Sequence, residues 1–223
     1  MLTTGKTTMP AKIIKVGPDN ILSAIEQAVT VIKDGGLVAF PTESFYALGA
    51  DALNPLAIEW VYRAKRRMPH KPLPVIIHDK SLVEKYARDL SPAAKVAVEQ
   101  LMPGPVTLVL WAAGNIPENL SASTGKIGIR VPDHTVASEL SRLFGGPIIA
   151  TSANISEKSP GLTTAGEVMD AVGSGIELIL DCGPTPGPPA STLIDLTSDP
   201  PVLMREGRAE KSSIEKVLGP LKS

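Results

Sequence analysis

An α/β fold, with a mixed sheet covered by helices on both faces, is what this sequence predicts, on three observations. Segments with a 3.6-residue apolar period alternate along the chain with short continuous apolar runs, the pattern of helices alternating with buried strands. Two pairs of the short runs are closely spaced, so the sheet is mixed rather than purely parallel. Apolar residues make up 43% and charged residues 20%, a globular balance that excludes wholesale disorder. At 223 residues one domain is the simplest arrangement. The expected division is a flexible tail over 1–12 and a single domain over 13–223.

The elements follow in order. Ile21, Ile25, Ala28, Val29 and Ile32 share one helical face, which predicts an amphipathic helix over 19–33. Asp34-Gly35-Gly36 ends it, because glycine takes the left-handed C-terminal conformation without strain. A short buried strand follows over 37–40. Asn54-Pro55 pairs an N-cap with a first-turn proline and starts a helix to about Arg66. Residues 73–77 are apolar and short, hence a strand. Ser91-Pro92 repeats the cap-plus-proline signal, and that helix ends before Pro103. Further strands are predicted over 106–111, 126–131, 147–150, 176–180, 192–196 and 202–205. Further helices are predicted over 134–143, 165–172 and 213–218. Residues 183–190 (Gly-Pro-Thr-Pro-Gly-Pro-Pro-Ala) read as a stiff extended connection, since a strand and its partners come after it.

Composition also excludes functions. The net charge is −1, which argues against coating nucleic acid or membrane through bulk charge but allows a local basic patch. Aromatics are 4%, too few for a surface that stacks single-stranded bases. The lone cysteine, Cys182, permits no internal disulfide and no thiolate metal cluster, which suits a cytoplasmic location. His70, His78 and His134 show no ligand spacing, so no protein-built metal site is expected. No apolar run approaches the roughly 18 residues of a membrane span, and 1–10 lack a signal-peptide core. Gly5-Lys6-Thr7 lacks the leading glycine of a phosphate loop. One excess stands out: 40 of the 223 residues are Gly or Pro, against roughly one in eight on average.

Four local features point to chemistry. Between 60 and 78 there is no acidic residue, while Arg63, Lys65, Arg66, Arg67 and Lys71 are cationic. Such a run is either the solvated end of a helix or, held on a loop broken by Pro69 and Pro72, a cluster that converges on a polyphosphate. Phe40 to Gly49 carries Thr42, Glu43 and Ser44 just after a buried strand, where open α/β sheets place ligand loops. It is alternatively a capped turn. Ile148 to Asn154 likewise runs from apolar residues into Thr151, Ser152 and Asn154, a ligand loop or an Asx/Ser turn. Arg130 lies inside an apolar strand, where it needs an anionic partner; a substrate carboxylate and a structural Asp are equal candidates. Ser191, Thr192 and Arg205 sit at other strand ends. No Gly-x-Ser-x-Gly elbow or other nucleophile with a nearby base is present.

Seven segments, in this order, resemble one family: Pro-Thr-Glu-Ser-Phe-Tyr-Ala-Leu-Gly (41–49), Lys-Arg-Arg-Met-Pro-His-Lys-Pro-Leu (65–73), Pro-Gly-Pro-Val-Thr (103–107), Ile-Arg-Val-Pro-Asp-His (129–134), Thr-Ser-Ala-Asn-Ile-Ser (151–156), Ser-Thr-Leu-Ile-Asp (191–195) and Arg-Glu-Gly (205–207). They are similar to the YrdC-like threonylcarbamoyl-AMP synthases, over roughly residues 14–218. The resemblance implies a twisted mixed sheet with a basic concave face. It also implies formation of threonylcarbamoyl-AMP and pyrophosphate from L-threonine, bicarbonate and ATP. Partner proteins would then transfer the threonylcarbamoyl group to the tRNA adenosine beside the anticodon, and direct tRNA contact is an open expectation. The family's Lys-x-Arg and Ser-x-Asn signatures fall on Lys65, Arg67, Ser152 and Asn154. By this resemblance Lys65 and Arg67 would be catalytic; Arg67, Lys71, Ser152, Asn154 and Arg205 would hold ATP; Ser44, Arg130 and Ser191 would hold threonine. Mg²⁺ would ride on the ATP phosphates. The family usually has threonine at Ser44 and glycine at Ala47, which raises the question of whether that turn needs φ > 0. The extra C-terminal domain of the longer branch has no counterpart here, so the short form is expected. The rival readings are an RNA-binding module using the basic concavity and a carbamoyl-adenylating domain of the hydrogenase-maturation type. The latter carries Cys-rich zinc motifs that one cysteine cannot supply.

Overall fold

The computed structural model describes residues 10–156 and 161–222. In chain order these form β1 (Lys12–Lys15), α1 (Ile21–Lys33), β2 (Val38–Pro41), β3 (Tyr46–Gly49), α2 (Pro55–Lys65), β4 (Val75–Ile76), α3 (Val83–Tyr86), β5 (Ala87–Arg88), α4 (Pro92–Leu101), β6 (Val106–Ala112), β7 (Lys126–Arg130), α5 (Thr135–Phe144), β8 (Ile148–Ile149), β9 (Thr151–Ser152), α6 (Ala165–Val172), β10 (Leu178–Asp181), β11 (Thr192–Asp195), β12 (Val202–Arg205) and α7 (Lys211–Leu218).

Helix starts follow local capping chemistry. The Asn54 carboxamide oxygen accepts from the amides of Leu56 and Ala57, with Pro55 in the first turn. Ser91 does the same for the Ala94 amide, at 3.1 Å, ahead of Pro92. Each such cap is worth about 1 kcal/mol. α1 stops where Gly35 takes φ +77, as its glycine predicted.

The mixed pairing is present, but it is divided between two sheets rather than carried by one. The first has the order β1-β10-β2-β3-β9, with β5 and the remaining strands in a second whose main path is β12-β11-β6-β7-β4-β8. In the first sheet β1/β10 and β10/β2 are parallel and β2/β3 and β3/β9 antiparallel. In the second, β11/β6 and β4/β7 are parallel, among antiparallel neighbours. Residues 148–152 stitch the two together: β8 pairs with β4 in one sheet and β9 with β3 in the other.

Period-two alternation divides the core. Val38, Phe40, Leu178 and Leu180 face α1 and α5, packing on Ile25, Ile32 and Leu140. Leu37, Ala39, Tyr46, Leu48 and Ile179 face the other way, into the main core shared with the second sheet, α2, α4, α6 and α7. A strand buried on both faces reads as a continuous apolar run, which is why β2 and β10 were recognisable.

Five strands departed from expectation, the first being β5 (Ala87–Arg88), where no strand was predicted. β1 lies partly in the segment read as a tail. Ala11 is buried and its amide donates to the Gly173 carbonyl at 2.9 Å; residues 1–9 lie outside the described residues. The strand expected over 73–77 shrinks to β4, because Pro72 and Pro74 have no N–H for a ladder. Residues 46–49, read as part of a ligand loop, form β3, and Thr151–Ser152 form β9. Ala47 sits within β3, opposite Phe40 and Ser152, and is absent from the positive-φ residues, so that position does not require glycine.

Candidate active site

A cavity of about 810 Å³ opens between the two sheets. Its walls come from the 42–47 turn and β3, from the 67–74 loop after α2, from β7 and β11, from the 150–154 segment and from Arg205 on β12. Eight of the nine residues expected in the site line it: Ser44, Arg67, Lys71, Arg130, Ser152, Asn154, Ser191 and Arg205. The ninth, Lys65, does not.

Lys65 ends α2 and is 1% exposed. Its ammonium lies behind the wall and donates to the Ser152 carbonyl, to the Asn154 carbonyl at 2.8 Å and to Asn154 Oδ1 at 3.3 Å. Ser152 Oγ also donates to Asn154 Oδ1, at 2.5 Å. Burial, with Arg67 nearby, pushes the Lys65 pKa down to about 7. The geometry therefore makes Lys65 a prop for the Ser152–Asn154 turn rather than a cavity-facing group.

The next residue turns the chain. Arg66 caps α2 in the left-handed region at φ 49, and this sends Arg67 back over the cavity. Arg67 is fastened by its own loop, Nε donating to the Lys71 carbonyl at 3.2 Å and Nη2 to the Pro72 carbonyl at 3.0 Å. Tyr62 Oη also donates to the Lys71 carbonyl, at 3.0 Å. Loop 67–72 is thus folded around one guanidinium, whose burial lowers its pKa. Of the two readings of this basic run, the shaped loop is the one observed for Arg67.

The opposite end is rich in hydroxyls. Ser44 is buried; its amide donates to Thr42 Oγ1 at 3.2 Å, and Thr42 Oγ1 donates to the Phe45 carbonyl at 2.7 Å. Ser191 Oγ lies 3.0 Å from Thr107 Oγ1. Arg205 Nε and Nη2 donate to the Ser191 carbonyl at 3.2 and 2.8 Å. Between them stands Arg130, 9% exposed. Its Nε donates to the Gly104 carbonyl at 3.2 Å and its Nη2 forms an ion pair with Glu43. The partner that a buried arginine demands is thus an internal glutamate. Burial first, then Arg208 and Arg205, push the Arg130 pKa down to about 10.

Glu43, noted with Thr42 and Ser44 as a ligand-loop candidate, instead supplies the counter-charge to Arg130. Thr107 is a site residue that its sequence motif contained but did not single out, and Lys126 and Asp195 are further omissions. They pair at 2.8 Å, Lys126 also covers the Trp111 ring, and both line the cavity. The period of two along β7 (Lys126, Gly128, Arg130) is the signal that could have found Lys126. The cavity lining holds Arg67, Lys71, Lys126, Arg130 and Arg205 against one acidic residue, Asp195. Among the described residues no group of three or more His, Cys, Asp or Glu is placed to hold a metal ion, and no helix is long and apolar enough to cross a membrane.

Comparison with known proteins agrees with this arrangement. The Sua5/YciO/YrdC family model, described as "Telomere recombination", matches residues 30–207. The chain is 38% identical over 208 residues to the threonylcarbamoyl-AMP synthase of Pyrococcus abyssi, an alignment covering 91% of this chain and 61% of that protein. It is 38% identical over 198 residues to the synthase of Bacillus subtilis, covering 88% and 57%. The crystal structure of P. abyssi Sua5 complexed with L-threonine superposes with a TM-score of 0.90 at 38% identity, over 95% of this chain and 62% of that one. The chain thus spans about three fifths of the length of these relatives. With the family model covering most of the chain and the two-sheet architecture superposing on a solved relative, this chain belongs to the Sua5/YciO/YrdC family.

Proposed function

We propose that this protein forms threonylcarbamoyl-AMP and pyrophosphate from L-threonine, bicarbonate and ATP, supplying threonylcarbamoylation of the tRNA adenosine beside the anticodon. The observation that carries the reading is the convergence of eight motif residues, drawn from positions 44 to 205, on one cavity with five cationic residues and one acidic residue. Because the site draws on so much of the chain, residues 13–223 are proposed as one catalytic domain with a basic concave face. Support for the substrate comes from the relative solved with L-threonine and from relatives named as threonylcarbamoyl-AMP synthases.

The chemistry suits a site without a protein nucleophile. The threonine nitrogen attacks the bicarbonate carbon, and loss of water leaves a carbamate. A carbamate oxygen then attacks the α-phosphorus in line, the bond to the bridging oxygen breaks, and pyrophosphate leaves with the electron pair. Positioning and charge neutralisation are the main demands of such a step. In this reading Arg67, Lys71 and Arg205 take phosphate oxygens, and Ser152 and Asn154 offer short polar groups to the nucleotide; all five line the cavity. Ser44, Ser191 and Arg130 form the threonine end, with Arg130 on the carboxylate. Mg²⁺ would be held by the ATP phosphates and would supply part of their charge neutralisation; the lining carboxylate, Asp195, is paired with Lys126. The product passes to separate transfer proteins in the cytoplasm.

Pyrophosphate release that requires both threonine and bicarbonate is the test. Release with another amino acid but not threonine would overturn the substrate. Arg67→Ala is expected to abolish adenylate formation and leave the circular dichroism spectrum unchanged; near-normal activity would refute the site.

A further inference from the structure

The proline-rich segment 183–190 is fastened through its non-proline residues, beginning with Gly183, whose carbonyl accepts from the Tyr46 hydroxyl at 2.8 Å. Four of its eight residues are proline and offer no N–H, so its anchorage falls on the others. The Thr185 amide donates to the Thr163 carbonyl at 2.8 Å, and the Gly187 amide to the Ser44 carbonyl at 2.7 Å. Gly187, at φ +82, is gripped on its other side as well, because Arg208 Nη2 donates to its carbonyl at 2.8 Å. The segment is therefore a strap that crosses Ser44 and is clamped from outside by Arg208.

Arg208 is placed for that task by its own backbone. Its amide donates to the Ala190 carbonyl at 2.9 Å. Preceding it, Gly207 packs directly on the 190–192 backbone, where a Cβ would stand 2.2 Å from the Ala190 carbonyl oxygen. Arg208 is half-buried and does not line the cavity. It also lies close enough to Arg130 to oppose its charge, with Arg205 on the same side and Glu43 as the counter-charge.

We propose that Arg208 is a positioning residue for the amino-acid end of the cavity, acting through Gly187 on Ser44. The inference rests on the synthase reading for its kinetic consequence, but not for its structural one. Arg208 touches no substrate; it sets where the Ser44 backbone lies and so where its hydroxyl points. Its loss weakens capture of the amino acid and leaves the nucleotide-holding residues Arg67, Lys71, Ser152, Asn154 and Arg205 as they were.

Two variants test this. Arg208→Met keeps the apolar stem and removes every side-chain donor, whereas Arg208→Lys keeps the charge and an ammonium donor. In Arg208→Met, hydrogen exchange at the Gly187 amide is expected to accelerate about tenfold or more, the scale of a lost charge-assisted hydrogen bond. The KM for threonine is expected to rise by a similar factor of about ten, with the KM for ATP unchanged. Arg208→Lys is expected to restore part of both, and it carries the test if the Met variant does not fold. Unchanged exchange at Gly187, or a parallel rise in both KM values, overturns the proposal. If the wild-type protein shows no threonine-dependent turnover, the synthase reading falls, and exchange at Gly187 alone decides the role of Arg208.

Discussion

Replacing Lys65 with methionine should change how stability depends on pH, in a direction opposite to that of a salt-bridged lysine. The Lys65 side chain is 1% exposed and its ammonium donates to oxygens of Ser152 and Asn154, with no carboxylate among its hydrogen-bond partners in the described residues. Burial depresses its pKa from 10.5 to about 7. Above pH 7 the unfolded chain therefore carries a proton that the folded chain has released, so stability rises with pH by up to about 1.4 kcal/mol per pH unit. Between pH 7 and 9 that amounts to about 2 kcal/mol, since the folded lysine is half titrated at pH 7. Below pH 7 both states are protonated and the contribution is constant. Methionine has no proton to release, so its curve lacks this slope. It also leaves the Asn154 carbonyl without the Lys65 donor, at about 1–3 kcal/mol if that oxygen stays buried and unpaired. The gap between wild type and Lys65→Met should therefore widen from pH 6 to pH 9. The widening ends only near pH 10.5, where the lysine of the unfolded chain loses its proton too. Urea unfolding of both proteins at four pH values measures the gap. A gap that stays constant or narrows over this range would refute the placement of a titrating lysine beneath the Ser152–Asn154 turn.

Two further substitutions probe backbone contacts. Gly207→Ala should destabilise by about 3 kcal/mol, lowering Tm by roughly 6–12 °C for a chain of this size, because the new Cβ meets backbone at Ala190, Ser191 and Thr192. Gly114→Ala, which meets nothing within 4 Å, is the control and should stay within about 0.5 kcal/mol of wild type. Ala47→Gly should lose about 0.5–1 kcal/mol, since β3 needs no positive φ there; a gain in Tm would show that the family's glycine relieves strain in this chain too.

What could be read from the residues was local or periodic. Asn54-Pro55 and Ser91-Pro92 announce helix starts because the cap and the donor it satisfies lie three residues apart. α1 announces itself through five apolar residues on one face. By contrast, β1 and β9 carry four and two residues, and their partners, β10 and β3, lie far away in the chain, so no window of sequence contains the pairing. The division into two sheets escaped for the same reason. In the site, Arg67, Ser152 and Arg130 were visible as polar groups at or beside apolar strands. Their supports were not. That Glu43 pairs with Arg130, that Lys65 points away from the cavity and that Arg208 clamps Gly187 are relations across folded space. Lys65 and Arg67 stand two apart in a basic run, yet the left-handed residue between them sends one behind the wall and the other into the opening.

The strand order of the first sheet has a consequence for assembly. β10 lies between β1 and β2, so Lys12 finds its place beside Leu178 only after most of the chain has been made. Until then β1 has no neighbour, and β2 presents an open edge, apolar on both faces, of the kind that invites association with other chains. Ser191 and Arg205 are made later still. Closing such distant pairs is slow, and a nascent chain shielded by a chaperone until residue 181 has emerged would be spared the interval of greatest exposure. Binding competence therefore arrives last, and all at once, with the closing of the sheet.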